Sequence, residues 1–301
     1  MGFFKSVFQE IKASSSLVLE QVHINRMLYA KILIEHYQKK GIVSDLTEVE
    51  FKVFSQWGDD GIIQYLIHHI DIPHKTFVEF GVENYSEANT LFLLMNNNWS
   101  GLIMDGSEAN MQHVRNNEIY WKYDLQYKAV FVTAENVNEL IATAGFQKEV
   151  GILHIDIDGN DYWVWKAIHV IDPVIVIVEY NGIFGLEHPW TIPYDPKFYR
   201  TKYHFSNLLY GTSLRSVCDL ATEKGYVFVG CNSAGNNAYF VKKDKVNNLN
   251  TPTIEEGYKI SKFKESRNKE GNLTYLRGKE RLESLKGEKV YNTRTQKIET
   301  I

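Results

Sequence analysis

Short apolar runs alternate with helical stretches across the middle of the chain. The first is Thr76-Phe-Val-Glu-Phe-Gly-Val-Glu-Asn-Tyr-Ser86. Phe77, Val78 and Phe80 predict a buried strand, Gly81 a break, and Ser86–Leu94 a helix. Four more strands are expected at Gly101–Asp105, Tyr127–Thr133, Gly151–Asp158 and Pro173–Asn181. Helices at Ser107–Asn116, at Val137–Ala144 and through Trp165 and Ala167 separate them. A helix Ser213–Glu223, stopped by Gly225, precedes Tyr226–Cys231 and Ala238–Lys242, which flank the polar turn Asn232–Asn237 as an antiparallel hairpin. This alternation predicts an α/β fold: a Rossmann-like, doubly wound, seven-stranded sheet, mostly parallel, with a C-terminal antiparallel hairpin and added N-terminal helices.

Three regions follow from the pattern: residues 1–50 as an N-terminal helical cap or dimerisation segment, 51–245 as the α/β domain, and 246–301 as a polar tail packing on the body. Residues 1–45 read as two helices, the second about Leu17–Lys39. The first carries Phe3, Phe4, Val7, Phe8 and Ile11 on one face, fit to pack on the body, a twin subunit or a membrane surface; packing is the expectation. Asp59 or Asp60 is expected to N-cap the helix running to His69. Gly182–Asn207, with His188-Pro-Trp190 and Pro193-Tyr-Asp-Pro196, is a lid, a substrate loop or a packed excursion.

Composition narrows the classes. Over 301 residues the net charge is −4, which gives no basic excess for nucleic acid. Two cysteines, Cys218 and Cys231, are too few for a disulfide or zinc framework and fit a cytoplasmic protein. No apolar run is long enough to span a bilayer. Met1–Ser6 superficially matches a myristoylation signal, but the start of an amphipathic helix explains it.

In an open α/β sheet, ligands bind beyond the carboxyl ends of the strands. Here those ends carry Glu79, Asp105, Asp156 with Asp158, and Glu179 with Asn181. The turn at Gly81 lets a ligand approach the backbone, and a helix starting at Ser86 offers free N–H groups. Asp105 is placed either to accept a ribose's two hydroxyls or to cap the next helix. On a strand, Asp156 and Asp158 share one face, as do Glu179 and Asn181. Like charges on one face need a divalent metal, a shared proton or backbone N–H donors. His188, in the 182–207 stretch, is a candidate base or a packing residue; His154 reads as buried structure.

Four segments resemble class I S-adenosylmethionine-dependent methyltransferases, and among them the FkbM-like group: Phe77–Gly81, Gly101–Gly106, Leu153–Gly159 and Val176–Asn181. The resemblance spans about residues 54–242, and Phe263–Asn268 with Leu273–Leu276 is similar to a bacterial surface-polysaccharide subgroup. It implies that Glu79 and Gly81 line the methionine end of the cofactor, that Asp105 holds the ribose and that Asp156 sits beside the transferable methyl. Some oxygen methyltransferases of this class bind magnesium, which makes Asp158, Glu179 and Asn181 the metal candidates; Asp158 and, from its place in the 182–207 stretch, His188 are the catalytic candidates. One departure is Glu83-Asn-Tyr85, where a second glycine is common.

The implied activity is methyl transfer to a sugar hydroxyl, on a nucleotide-activated sugar for capsule or lipopolysaccharide synthesis, by a protein that forms a homodimer through its N-terminal helices. An NAD-dependent sugar dehydrogenase or epimerase is disfavoured by the missing glycines and the lack of a Tyr-x-x-x-Lys pair. A non-catalytic nucleotide-binding scaffold is the third reading.

Overall fold

The structure, a computed structural model, describes the backbone from Gly2 to Ile301 and the side chains of residues 17, 18 and 20–301. Contacts divide the chain into two compact units, residues 1–41 and 42–301. The first is one helix, α1 (Gly2–Lys40), where two were expected. No glycine or proline interrupts residues 3–40. The helix therefore propagates until Gly41, which takes a left-handed φ of +77°. The side chains of Phe3, Phe4, Val7, Phe8 and Ile11 lie outside the described residues. Further along α1, Leu17, Val18, Leu28 and Ile32 are exposed.

The second unit is built on strands β1 (Thr76–Phe80), β2 (Ser100–Asp105), β3 (Leu125–Ala129), β4 (Lys148–Ile155), β5 (Ile171–Glu179), β6 (Trp190–Thr191), β7 (Tyr226–Cys231) and β8 (Asn237–Lys242). All but β6 form one sheet in the order β3-β2-β1-β4-β5-β8-β7. The first five are parallel, and β8 runs antiparallel to both β5 and β7. This is the Rossmann-like sheet expected from the sequence. Chain direction across the sheet reverses between β1 and β4, which opens a crevice at their carboxyl ends.

The helices are α2 (Asp59–His69), α3 (Leu91–Asn97), α4 (Glu108–Asn116), α5 (Ile119–Lys122), α6 (Val137–Thr143), α7 (Asp161–Ala167), α8 (Arg200–Tyr203) and α9 (Leu214–Glu223), followed by two short turns of helix in the tail. Helix α2 is not capped by an aspartate: Gly58 takes that place. Asp59 Oδ1 instead accepts from Asn232, Asn237 and Tyr239, tying the helix to the β7–β8 hairpin. Asp60 Oδ2 accepts the backbone N–H groups of Val53, Phe54 and Ser55.

The 182–207 excursion is packed. Phe184, Trp190, Ile192 and Phe198 bury themselves with Leu208, Leu285 and Val290 in a second core. Strand β6 pairs with β9 (Lys289–Asn292), and β9 with β10 (Lys297–Thr300), in a small antiparallel sheet. Among the described residues, no helix is long and apolar enough to cross a membrane.

Candidate active site

A cavity of about 630 Å³ opens at the carboxyl ends of β1, β2, β4 and β5. Its walls include Gly81, Asp105, Phe131, Asp156, Asp158 and Glu179. Those residues are up to 98 positions apart in sequence and meet because parallel strands all end on one edge of the sheet.

At the head of β1, Glu79 is buried, and its acceptor sites are filled. Oε1 takes Asn89 N–H at 3.0 Å and His154 Nδ1 at 2.8 Å, while Oε2 takes the N–H and hydroxyl of Thr90. Burial pushes this carboxyl up, but the hydrogen bond and charge of His154 outweigh it and hold it below its ordinary range. Burial pulls His154 down, and Glu79 more than restores it. The pair is a charged hinge pin that fixes the 88–90 turn, so Glu79 shapes the cavity wall instead of offering a free oxygen.

Gly81 follows with φ +73°. A Cβ there would lie 1.6 Å from the carbonyl oxygen of Asp156. The glycine is thus demanded by the close approach of the β4 loop. Ser86 lies in a turn bonded to Asn84, ahead of a helix that starts only at Leu91, and it does not line the cavity. The turn residues from Gly81 to Asn89 delay the helix because Glu79 ties down the N–H groups of Asn89 and Thr90.

Asp105 ends β2 half-buried in the wall. Oδ1 accepts Ser107 N–H at 2.8 Å and Asn110 Nδ2 at 3.1 Å; Oδ2 accepts Glu83 N–H at 2.9 Å. Ser107, not Asp105, caps α4. The beginning of an apolar end is set by β3, which stops at Ala129, short of the expected Thr133, because Asn136 folds back to bond Phe131 O and Thr133 N. Phe131, not singled out from the sequence, stands half-exposed at the cavity with Val130 and Val132.

Strand β4 ends at Ile155, so Asp156 and Asp158 are loop residues. Asp161 pulls the chain off the strand by accepting Ile157 N–H at 2.8 Å and Gly159 N–H at 2.9 Å. Asp158 takes a left-handed φ of +55°. The expected shared strand face does not exist, yet Asp156, Asp158 and Glu179 each bring one oxygen within 4.8 Å of the others. Arg200, from α8, pairs with Asp158 and stacks 3.7 Å above the ring of Tyr210. Its long separation from Asp158 hid it from a reading of local motifs.

Charge is unbalanced here. Asp156 is half-buried, and its partial loss of solvent, with the charge of Asp158, pushes it up to about 7. Burial, then Asp156 and Asp158, push Glu179 well above its ordinary value. Glu179 Oε2 is buried with no hydrogen-bond partner among the described residues. An unpartnered buried carboxyl oxygen beside two more carboxylates fits a cationic ligand, organic or metallic.

Two expected site residues are elsewhere. Asn181 is buried, with its amide donating to Leu208 O and Tyr210 O and its oxygen accepting Ile183 N–H, so no atom remains for a metal. A side chain at a strand end beside returning irregular backbone serves that backbone's carbonyls first. His188 stacks flat on Trp190, centroids 3.9 Å apart, and does not line the cavity.

No protein-family model and no curated protein matches the sequence. Solved structures similar to this one include a S-adenosylmethionine-dependent methyltransferase from Clostridium acetobutylicum, with 9% identity over 61% of this chain and 90% of that one, at a TM-score of 0.38. The N-terminal domain of EvdMO1, in the presence of SAH and D-fucose, has 13% identity over 71% of this chain and 93% of that one, at 0.39. An O-methyltransferase from Bacillus cereus in complex with SAH has 14% identity over 60% of this chain and 78% of that one, at 0.35. Likeness this distant concerns the course of the chain and says nothing of individual site residues.

Proposed function

We propose that this chain is an S-adenosylmethionine-dependent O-methyltransferase acting on a sugar hydroxyl. The supporting observation is the strand-end cavity in which Asp105 and an under-neutralised carboxylate trio face one space. Its volume suits a small-molecule site. A cation entering this crowded trio would favour the ionised carboxyls, which suits a cationic donor over a neutral one. When bound, S-adenosylmethionine would supply an electrophilic methyl group on a sulfonium.

In this reading Asp105 accepts the ribose hydroxyls, with Phe131 and Val132 walling the base. Asp156, Asp158 and Glu179 surround the reactive end. A carboxyl poised at about 7 accepts a proton from a hydroxyl at neutral pH, which makes Asp156 the candidate base. Arg200 keeps Asp158 oriented. A divalent ion such as magnesium would be held by the same trio, without Asn181. The FkbM-like resemblance adds a nucleotide-activated sugar of capsule or lipopolysaccharide synthesis as acceptor; the cysteine usage adds a cytoplasmic setting, and the apolar N-terminal helix a homodimer.

Calorimetry with S-adenosylmethionine, its demethylated product, NAD and magnesium chloride, titrated separately, tests the reading. Binding of the first two is expected; binding of NAD alone would overturn it in favour of a dehydrogenase. Asp105→Ala removes charge-assisted hydrogen bonds worth about 1.5–3 kcal/mol each, so donor affinity should fall roughly 10²-fold. Because Asp105 also ties Glu83 and Ser107, Asp105→Asn is the gentler check, and unchanged donor affinity in both variants would refute the ribose role.

A further inference from the structure

A second cavity, of about 530 Å³, adjoins the first and shares Asp158, Arg200 and Thr201 with it. Its outer wall is a turn built by residues 265–274. Arg267 and Leu273 bridge across the turn, Thr274 N–H reaches Ser266 O at 2.8 Å, and Asn272 N–H reaches Asn268 Oδ1 at 2.8 Å. Ser266 is fully buried, and Arg267 N–H bonds Ser206 O at 3.2 Å, so the turn is anchored to the packed excursion.

The charge of this second cavity is opposite in character to that of the first. It is lined by Arg200, Arg267 and Lys269 against Asp158 and Glu265. Both acids are already engaged: Asp158 by Arg200, and Glu265 by Arg267 Nε at 2.9 Å and Asn207 Nδ2 at 3.0 Å. Lys269 is exposed and has no carboxylate partner among the described residues; its ammonium lies 5.9 Å from the centre of the Phe205 ring. Phe205 itself is partly open to solvent. Arg267 also donates from Nη1 to Gly271 O at 3.1 Å, which leaves Nη2 for a ligand, and Phe205 packs against His204, centroids 4.2 Å apart, while staying partly open. An unpaired ammonium, a remaining guanidinium N–H group and a partly open ring are a recognition set for a phosphate next to a flat ring.

We propose that this second cavity is the acceptor subsite and that it takes a phosphorylated acceptor. Lys269 and Arg267 bind the phosphate, Phe205 stacks on a base or sugar face, and the acceptor hydroxyl reaches the donor cavity beside Arg200 and Asp158. The assignment rests on the methyltransferase reading for the word acceptor, but the anion site can be measured without it.

The full chain is titrated by calorimetry with inorganic pyrophosphate, uridine diphosphate and glucose, each with and without the demethylated donor product. Pyrophosphate and uridine diphosphate are expected to bind and glucose not to. Equal affinity for the two anions identifies a sugar phosphate as the source; tighter uridine diphosphate identifies a nucleotide. Lys269→Glu, an exposed change, should weaken both anions at least tenfold and leave donor-product affinity unchanged. Phe205→Ala should weaken uridine diphosphate and spare pyrophosphate. If neither anion binds wild type, or Lys269→Glu binds them equally well, the subsite is overturned. Anion binding without donor binding would overturn the methyltransferase reading and leave the phosphate site standing.

Discussion

Glu179→Gln is expected to make the folded protein more stable at pH 8 while abolishing most of the proposed methyl transfer. The carboxyl lies buried beside Asp156 and Asp158, with Oε2 unpartnered. Its proton is held well above the ordinary range, and that of Asp156 up to about 7 against 3.8. An acid whose affinity for its proton is raised by folding stabilises the fold when protonated. That contribution is complete below about pH 4 and is lost as pH climbs through about 7. Wild-type stability should therefore decline between those limits, and Gln, with the same shape and no charge, should flatten the decline. Relief of even one pKa unit is about 1.4 kcal/mol, or roughly 3 °C for a chain of this size. Turnover should fall on the order of 10²-fold, because Gln cannot give up a proton to meet a cationic donor as the buried carboxyl can. Thermal melts from pH 5 to pH 8 with parallel assays decide it. A variant that melts lower than wild type at pH 8 would show that Glu179 is held by attractions absent here.

Gly81→Ala is expected to unfold the protein or nearly so. The new methyl group would sit 1.6 Å from the Asp156 carbonyl oxygen, and backbone cannot swing aside as a side chain does. The left-handed φ adds about 1–2 kcal/mol. Together these should exceed about 4 kcal/mol, a large part of the ~5–15 kcal/mol that holds a domain folded. Gly106→Ala is the contrast. Gly106 lines the same cavity, and its added Cβ meets only the Phe131 ring, at 3.2 Å. Urea midpoints should drop steeply for Gly81→Ala and little for Gly106→Ala; equal midpoints would mean that the β1–β4 approach is looser than drawn.

The sheet was legible because its inner strands are short apolar runs bounded by turn residues, a pattern set by burial on both faces. Glu79, Asp105 and Glu179 could be placed at strand ends for the same reason. What those acids do there was less legible. Glu79 is saturated by donors from a turn and from His154, partners 10 to 75 positions away. Asp158 left the strand because Asp161 competes for the backbone N–H groups of the next turn. Asn181 and His188 looked chemical in isolation; Asn181 proved to serve the carbonyls of Leu208 and Tyr210, and His188 the ring of Trp190. Arg200 and Phe131 reach the cavity with no local signature of their own, so only tertiary packing reveals them.

The small sheet has a consequence for biogenesis. Strand β6 is bridged at Thr191 to nearby Thr212, but its partner strand is Lys289–Asn292, about a hundred positions downstream. During synthesis the Rossmann-like sheet can close soon after Lys242 emerges from the ribosome, whereas the wall around Trp190 must wait for those later residues. A nascent chain therefore passes through a stage in which the strand-end crevice is formed and its neighbouring flank is still open.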